Sequence, residues 1–416
     1  MQNFKESERA TIDTRIQAVT RPKISKDQVV VVATGFLGLF SIVGIMFYGL
    51  PFFYDFWVKD FNWSRATVTS GNAVGKIIVG ALGFLAGWII DKSGPRRLMM
   101  FGILMGGLSL IGLSQMNGLW QFYAFYILGS LGYTCSGPLP NQVLISRWFD
   151  QSRGKAMGVA YLGIAVGGMI VPFVAKWLNI QLGWRDALMI LGFAMIAISL
   201  PILFILKENP ATSVLTKEEA AKPVALSSIL KKRSFYLLAL GSVFSIASVS
   251  GTVQNLKLYF SLDLHYTQER SANLLSFVLF SSLLGRLLVG WLADRLPKKT
   301  VMMLISLLVA CSLPLLSFTD TFFAINLFAF IFGICLGGDY MIIPLMAADL
   351  FGVKLLGRIM GLILTADGFA DAFSPILVGW VRDVTGSYMN GFYILMIFAL
   401  ISIASISMLK ANKKDS

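Results

Sequence analysis

One arginine stands inside a long apolar stretch of this chain, where ionisable side chains are costly and therefore functional candidates. Arg286 interrupts the apolar part of the stretch 271–299. A guanidinium keeps its charge at any physiological pH, and its planar fork matches a carboxylate, so Arg286 can hold an organic anion through two parallel hydrogen bonds. The alternative is a structural ion pair with Asp339 or Asp367.

Three aspartates fall in comparable apolar surroundings. Asp367 and Asp371 are four residues apart, so they share one face of a helix, and Asp339 lies in the apolar run before them. A poorly hydrated carboxylate takes up a proton more readily, and a nearby arginine opposes this. An anion that arrives at Arg286 competes with an aspartate for the same cation, which predicts linked binding of an anion and a proton. Structural pairing and direct binding of a cation are the alternatives.

Two lysines and several polar side chains complete the candidate set. Lys76 lies near the middle of an apolar run, and its long stem reaches either a cavity or an aspartate. Lys257 lies near the outer end of another run, where it either snorkels to lipid headgroups or supplies a second cation. Four further side chains are predicted either to line a cavity or to pack at an interface: Tyr126, Tyr133, Asn141 and Tyr340. Ser282, one helical turn before Arg286, is also a predicted binding residue.

The elements that must position these residues are membrane helices. The chain is 56% hydrophobic and 14% charged, with a mean hydropathy of +0.73, which is too apolar for a soluble protein of 416 residues. Runs of about 20 apolar residues cross a bilayer as helices. Twelve such spans are predicted, at residues 29–53, 66–88, 98–115, 120–146, 156–178, 186–206, 235–260, 271–292, 301–318, 322–349, 357–381 and 391–409.

The net charge of +13 is unevenly distributed along the chain. Most Lys and Arg residues fall in the tails and in the loops that would share one side of the membrane, which predicts that both termini are cytoplasmic. The expected location is therefore the plasma membrane, which in a bacterium is the inner membrane. No soluble domain carries the basic residues, so nucleic acid is not an expected partner.

A step of 203 residues relates the two halves of the sequence. Gly87 and Asp91 match Gly290 and Asp294 at this step, and the pattern 154–158 matches 357–361. Such a repeat predicts a duplicated architecture of six plus six helices. The predicted parts are a cytoplasmic tail at 1–28, a six-helix bundle at 29–206, a cytoplasmic loop at 207–234, a second bundle at 235–409 and a cytoplasmic tail at 410–416.

The segment that follows the second span is predicted to be a conformational latch between helices. Asp91 stands at the carboxyl end of its own helix, where the helix dipole disfavours an anion. We therefore expect Asp91 to face the start of another helix or a neighbouring arginine. The predicted latch residues are Gly87, Asp91, Arg96, Asp294 and Arg295.

The spans, the long central loop and the G-x-x-x-D-K-x-G-x-R-R segment that starts at Gly87 resemble the major facilitator superfamily over essentially the whole chain. Three local features are similar to its monocarboxylate transporter and oxalate:formate antiporter families. They are Tyr48-Gly49 followed by Asn62-Trp63-Ser64-Arg65, Arg147-Trp148-Phe149 with Arg153-Gly154, and Gly285-Arg286 eight residues before the aspartate Asp294. The resemblance implies an all-α membrane protein of twelve transmembrane helices in two pseudo-symmetric six-helix bundles.

The resemblance also implies that Arg286 binds the substrate carboxylate. Animal monocarboxylate carriers have an aspartate where this chain has Ser282, and the oxalate carrier has a lysine where it has Asp367. A second cation is therefore not evident, which favours a monocarboxylate over oxalate, although Lys76 or Lys257 could restore that charge.

The expected function is proton-coupled symport of a monocarboxylate such as lactate or pyruvate by alternating access. The protein would act as a monomer among membrane lipids, without a cofactor or metal. The alternatives are an organic anion exchanger of the oxalate:formate type and a carrier of organic cations or drugs that uses the buried aspartates. An enzyme is disfavoured because the single histidine, His265, has no partner cluster and no phosphate-binding loop is present.

Overall fold

The computed structural model describes residues 25–207, 226–318 and 322–409. Nearly all of these residues are helical, and none of those described forms a strand. The predicted carboxyl-terminal tail lies outside the described residues, as do most of the predicted amino-terminal tail and most of the predicted central loop.

Each of the twelve predicted spans corresponds to a helical segment, which we number α1 to α12. Their bounds are α1 Lys26–Asp60, α2 Arg65–Ser93, α3 Pro95–Ser114, α4a Leu119–Ser136 with α4b Pro138–Trp148, α5 Arg153–Leu182, α6 Trp184–Ile205, α7 Arg233–Asp263, α8 Gln268–Ala293, α9 Lys298–Ser317, α10 Phe322–Phe351, α11 Leu356–Thr385 and α12 Tyr388–Ser407. Among the described residues, 11 of these helices are long and apolar enough to cross a membrane, and the exception is the broken helix α4. The all-α architecture of two six-helix bundles is confirmed.

Helix α4 is interrupted at Gly137. Pro138, which has no N–H group and disfavours a helical conformation in the residue before it, begins α4b. The side-chain amide of Asn141 donates to the carbonyl oxygens of Ser136 and Gly137 at 2.9 and 2.7 Å. These bonds pair carbonyl groups that the interruption leaves without a helical partner, as backbone buried in a membrane requires.

Helix α1 runs further than its predicted span because it changes its winding around Pro51. Residues Gly44–Gly49 form a π-helical turn, in which the N–H of Leu50 reaches back to the carbonyl of Ile45. A short 3₁₀ turn containing Pro51 near its start follows, and a final α-helical segment continues to Asp60. Proline is accommodated here because the first residues of a helical turn do not need an N–H donor.

The two bundles meet along two seams, where α2 packs on α11 and α5 packs on α8. We call the membrane face at which α1 begins and α12 ends the basal face, and the opposite one the distal face. Helices α2 and α8 end at the basal face, whereas α5 and α11 begin there. Each seam therefore brings the end of one helix beside the start of another.

The 203-residue step also relates two aspartates at the distal face. Asp60, at the end of α1, accepts a hydrogen bond from the indole N–H of Trp184 at 2.6 Å. Asp263, at the end of α7, accepts one from the backbone N–H of Tyr388 at 2.7 Å. In both bundles an aspartate thus ties the end of the first helix to the start of the sixth.

Candidate functional site

Arg286 lies on α8, on the side of the second bundle that packs against α5 of the first. Its Nη1 donates to the hydroxyl and the carbonyl oxygen of Ser282, at 3.0 and 3.3 Å, and its Nε is buried without a hydrogen-bond partner. Within the described ranges no carboxylate lies close enough to Arg286 to form an ion pair. The guanidinium therefore keeps unused hydrogen-bonding capacity.

Two tyrosines from the first bundle face Arg286. Tyr48, from the π-helical turn of α1, and Tyr161, from α5, both lie near the guanidinium. Tyr161 is only 1% exposed, and its hydroxyl accepts a hydrogen bond from Nε2 of Gln142 at 2.8 Å. An arginine from one half of the chain is thus placed against phenols from the other half.

Two of the buried aspartates are held by serine hydroxyls of α7. The hydroxyl of Ser242 lies 2.7 Å from both carboxylate oxygens of Asp367, and that of Ser245 lies 2.7 Å from Oδ1 of Asp339. The second oxygen of Asp339 is buried and has no partner. In the described part of the chain neither carboxylate has a cation at ion-pair distance, so the alternative of a pair with Arg286 is not what the structure shows.

The third aspartate is paired with a lysine of the opposite bundle. Oδ2 of Asp371 on α11 lies 2.8 Å from Nζ of Lys76 on α2. Ser250 and Gln254 of α7 also donate to Asp371, Gln254 at 3.4 Å. The sequence allowed Lys76 to reach either a cavity or an aspartate, and in the structure it contacts an aspartate.

Two further tyrosines connect this ion pair to Arg286. Tyr133 of α4a lies near Asp371 and Tyr48, and Tyr340 of α10 lies near Tyr133 and all three aspartates. We call the resulting set the central cluster; it comprises Tyr48, Lys76, Tyr133, Tyr161, Ser282, Arg286, Asp339, Tyr340, Asp367 and Asp371. Both bundles contribute to it, so it lies between the two halves of the chain.

Three of the predicted binding residues lie apart from this cluster. Tyr126 donates to the hydroxyl of Tyr54 at 3.1 Å and packs its ring 4.6 Å from that of Phe122. Asn141 pairs the backbone at the break in α4, although its Oδ1 is buried without a partner. Lys257 is exposed in the last part of α7. None of the three is brought to Arg286 by a contact described for them.

Sequence reasoning missed the residues that hold the charged groups. Tyr48 served only as part of a local resemblance, and Tyr161 drew no attention because it looks like a packing residue among glycines. The hydroxyls of Ser242, Ser245 and Ser250 were also missed. The sequence did contain evidence for them, because Ser245 and Ser250 follow Ser242 by three and eight positions, a spacing that places all three on one helix face.

The latch residue Asp91 closes the basal end of the seam between α2 and α11. Its two oxygens accept hydrogen bonds from the backbone N–H groups of Gly357 and Arg358, both at 3.0 Å. The guanidinium groups of Arg358 and Arg147 lie 3.3 and 3.4 Å from it. A carboxylate is stabilised at the start of a helix by unpaired N–H groups and the helix dipole. Asp91 therefore contacts both of its expected kinds of partner.

Asp294 closes the basal end of the other seam, between α8 and α5. It accepts hydrogen bonds from the backbone N–H groups of Gly154 and Lys155, at 2.7 and 3.0 Å. Beside it a Cβ on Gly154 would overlap the carbonyl oxygen of Gly290, just as a Cβ on Gly87 would overlap that of Gly357. Both seams are thus closed at the basal face by direct backbone contact.

The two predicted latch arginines do not take part in these contacts between bundles. Arg96 donates to the carbonyl oxygens of Leu203 and Phe204 at 3.0 and 2.9 Å, which caps the end of α6 within the first bundle. Arg295 is exposed in the turn after α8, with its guanidinium 4.1 Å from the ring of Trp291 on that helix. The contacts across the seams come instead from the aspartates, the glycines and Arg358.

Comparison with known proteins agrees with this architecture. The sequence profile of the Major Facilitator Superfamily matches residues 34–338 and 238–415. A probable hexose phosphate transport protein of Chlamydia pneumoniae is 25% identical over 88% of each chain. Monocarboxylate transporter 13 of Rattus norvegicus is 26% identical over 74% of this chain and 72% of its own.

Solved structures of other transporters have the same fold. The crystal structure of the transporter FucP in its outward conformation superimposes with a TM-score of 0.73, covering 92% of this chain and 99% of the other, at 14% identity. Identity that low speaks for the fold alone. On the strength of the profile match along most of its length, this chain belongs to the Major Facilitator Superfamily and is a multi-pass membrane transporter rather than an enzyme.

Proposed function

We propose that this chain is a secondary transporter of a small monocarboxylate, such as lactate or pyruvate, and that it carries its substrate together with a proton. The observation that carries the proposal is Arg286, a guanidinium between the two bundles with a buried, unpartnered Nε and no carboxylate at ion-pair distance among the described residues. An unpaired buried cation is costly, so a carboxylate that completes its pairing is bound strongly.

The charges of the central cluster favour an anion with one charge. Lys76 is neutralised by Asp371 at 2.8 Å, which leaves Arg286 as the uncompensated cation of the cluster. A phosphate ester carries up to two negative charges at neutral pH and would leave one of them unpaired. For this reason we favour the substrate class of the monocarboxylate transporters over that of the hexose phosphate relatives.

Asp367 and Asp339 are the proposed carriers of the proton. Each is held by a serine hydroxyl of α7, and neither has a cation at ion-pair distance in the described ranges. Isolated buried charge is unfavourable, so a proton resides readily on such a carboxyl group. Loading one anion and one proton together leaves the net charge of the cluster unchanged, which allows the bundles to rock without moving charge through an apolar interior. Asp371, already paired, is the weaker candidate.

The closed basal face supports a proposal about the state of the transport cycle that this structure represents. The sequence places the basic loops at the basal face, which we propose faces the cytoplasm, with both termini there. Closure at this face by Asp91 and Asp294 then corresponds to a state that is closed to the cytoplasm. Rocking of the two six-helix bundles, with boundaries as predicted from the sequence, would break these contacts and admit substrate to the cytoplasmic side.

The test is uptake of radiolabelled L-lactate and pyruvate into proteoliposomes, with and without an inward proton gradient, for the parent and Arg286→Gln. Arg270→Gln is the matched control, because Arg270 is exposed on the same helix and stacks 3.8 Å from the ring of Tyr266. We expect gradient-driven uptake by the parent and the control and its loss in Arg286→Gln.

Other outcomes decide between the remaining transport modes. Uptake that requires a second anion inside the vesicle and ignores the proton gradient would indicate an exchanger. If neither anion enters under any gradient, or if Arg286→Gln transports as well as the parent, the monocarboxylate proposal is rejected. A carrier of organic cations that uses the aspartates would then be the better hypothesis.

A further inference from the structure

The ion pair between Lys76 and Asp371 crosses from one bundle to the other within the central cluster. Its Nζ–Oδ2 distance is 2.8 Å, and the two side chains keep 35% and 24% of their surface accessible. It thus differs from the latch contacts at the basal face, where Asp91 is 1% exposed. Because the two charges are partly accessible, they would interact with a charged ligand that passes between the bundles.

Asp371 is the fixed member of the pair. Ser250 and Gln254 of α7 also bind its carboxylate, so it stays with the second bundle when Lys76 leaves. Lys76 has a flexible four-carbon stem, so its ammonium group could bind another anion once the pair with Asp371 is broken. The position of Asp371 therefore decides whether Lys76 is available as an anion ligand.

The pair and Arg286 share neighbours. Tyr133 lies near both Asp371 and Tyr48, and Tyr48 lies near Arg286. A ligand held by Arg286 beside these tyrosines would therefore lie close to a site that already contains a carboxylate. A second negative charge on that ligand would meet like charge, and its cation partner would be occupied.

We propose that Asp371 is a specificity-determining residue that restricts the transporter to anions with one charge. It does so by neutralising Lys76 and by repelling a second carboxylate, so that discrimination comes from an unfavourable contact as well as a favourable one. This rests on the proposed function, in which Arg286 holds the first carboxylate. Removing the charge of Asp371 should convert the pair of Arg286 and Lys76 into a site for a dicarboxylate.

The experiment measures how well malonate and succinate inhibit L-lactate uptake by proteoliposomes. For Asp371→Asn we expect the potency of the dicarboxylates relative to unlabelled lactate to rise by about tenfold or more. The double variant Lys76→Gln/Asp371→Asn should lose this gain, because the second cation is absent. Asp383→Asn is the matched control, since Asp383 lies on the same helix with its side chain 78% exposed.

Binding is also measured, because Asp371→Asn can bind without transporting. Malonate should raise the thermal stability of purified Asp371→Asn more than that of the parent. If Asp371→Asn does not fold, the exchanged pair Lys76→Asp/Asp371→Lys takes its place, and it must retain the preference for lactate over malonate.

Two kinds of failure give different results. The inference is overturned if the parent transports lactate while Asp371→Asn shows no gain for dicarboxylates in either measurement, or if the exchanged pair prefers malonate. Failure of the proposed function looks different, because the parent itself then neither transports nor binds lactate, and the inference falls with it.

Discussion

Asp91 and Asp294 lie 203 residues apart and make the same contact in opposite directions. Each carboxylate accepts two consecutive backbone N–H groups from the first turn of a helix in the other bundle: Asp91 from α11, and Asp294 from α5. Each bundle thus supplies one acceptor and one helix start. With rocking of the two bundles as rigid bodies, as proposed above, both seams would have to open together.

Neutralising either latch aspartate should favour opening of the basal face. Hydrogen bonds to a charged group contribute about 1.5–3 kcal/mol each. Asp294→Asn retains one acceptor oxygen and loses the charge, so the closed state should weaken by roughly tenfold or more. The measurement is the labelling rate of a cysteine introduced at the basal face with a membrane-impermeant maleimide in inside-out vesicles. Equal labelling of Asp294→Asn and the parent would contradict the role of the latch.

The close approach of Gly87 to Gly357 predicts that Gly87→Ala abolishes transport. A Cβ at this position would overlap the carbonyl oxygen of Gly357, so the seam cannot close. Gly80→Ala is the control on the same helix, because a Cβ there meets nothing within 4 Å. We expect lactate uptake at the parental rate from Gly80→Ala and almost none from Gly87→Ala at matched expression. A fully active Gly87→Ala protein would show that closure does not need this contact.

The hydroxyl of Ser282 orients Arg286, so Ser282→Ala should weaken substrate binding. Loss of a hydrogen bond to a charged group costs about 1.5–3 kcal/mol, which corresponds to a KM for lactate about tenfold or more higher. The adjacent Ser281 is buried, and its hydroxyl has no partner, so Ser281→Ala should leave KM near the parental value. The kinetics of uptake over a range of lactate concentrations distinguish the two variants. Equal KM values would remove Ser282 from the site.

Asp367→Asn separates proton coupling from substrate binding. The amide can still accept a hydrogen bond from Ser242 but cannot exchange a proton, so an inward proton gradient should no longer drive accumulation of lactate. Exchange of internal for external lactate without a gradient should continue. In the parent, uptake should fall as the external pH rises, because a proton must accompany the anion, and Asp367→Asn should lose this dependence. Accumulation that still follows the gradient would transfer the role to Asp339.

The spans and the kind of partner that Asp91 contacts were predictable because they depend on physical requirements that leave a local trace. A helix that crosses a bilayer needs about 20 apolar residues in sequence, so most span boundaries lie within a few residues of the structure. The partner of Asp91 followed from the helix dipole alone, since an anion at the end of its own helix needs positive surroundings. Both inferences use information that lies within one segment of sequence.

The contacts within the central cluster were not predictable, because each joins residues far apart in sequence. Nothing local indicates that Lys76 reaches Asp371 rather than Asp339, or that hydroxyls rather than Arg286 hold Asp367. The π-helical turn that contains Tyr48 also changes the phase of α1, so a regular helical repeat assigns this side chain to the wrong direction.

The glycines at the two seams have a consequence for how the gene can vary. Positions 87, 154, 290 and 357 each leave too little room for a Cβ against the facing backbone. All glycine codons begin with GG, and any change in either of these two bases yields a residue with a Cβ or a stop codon. These four codons should therefore tolerate substitution only at their third base, so that in a library of random mutants selected for uptake they carry silent changes alone.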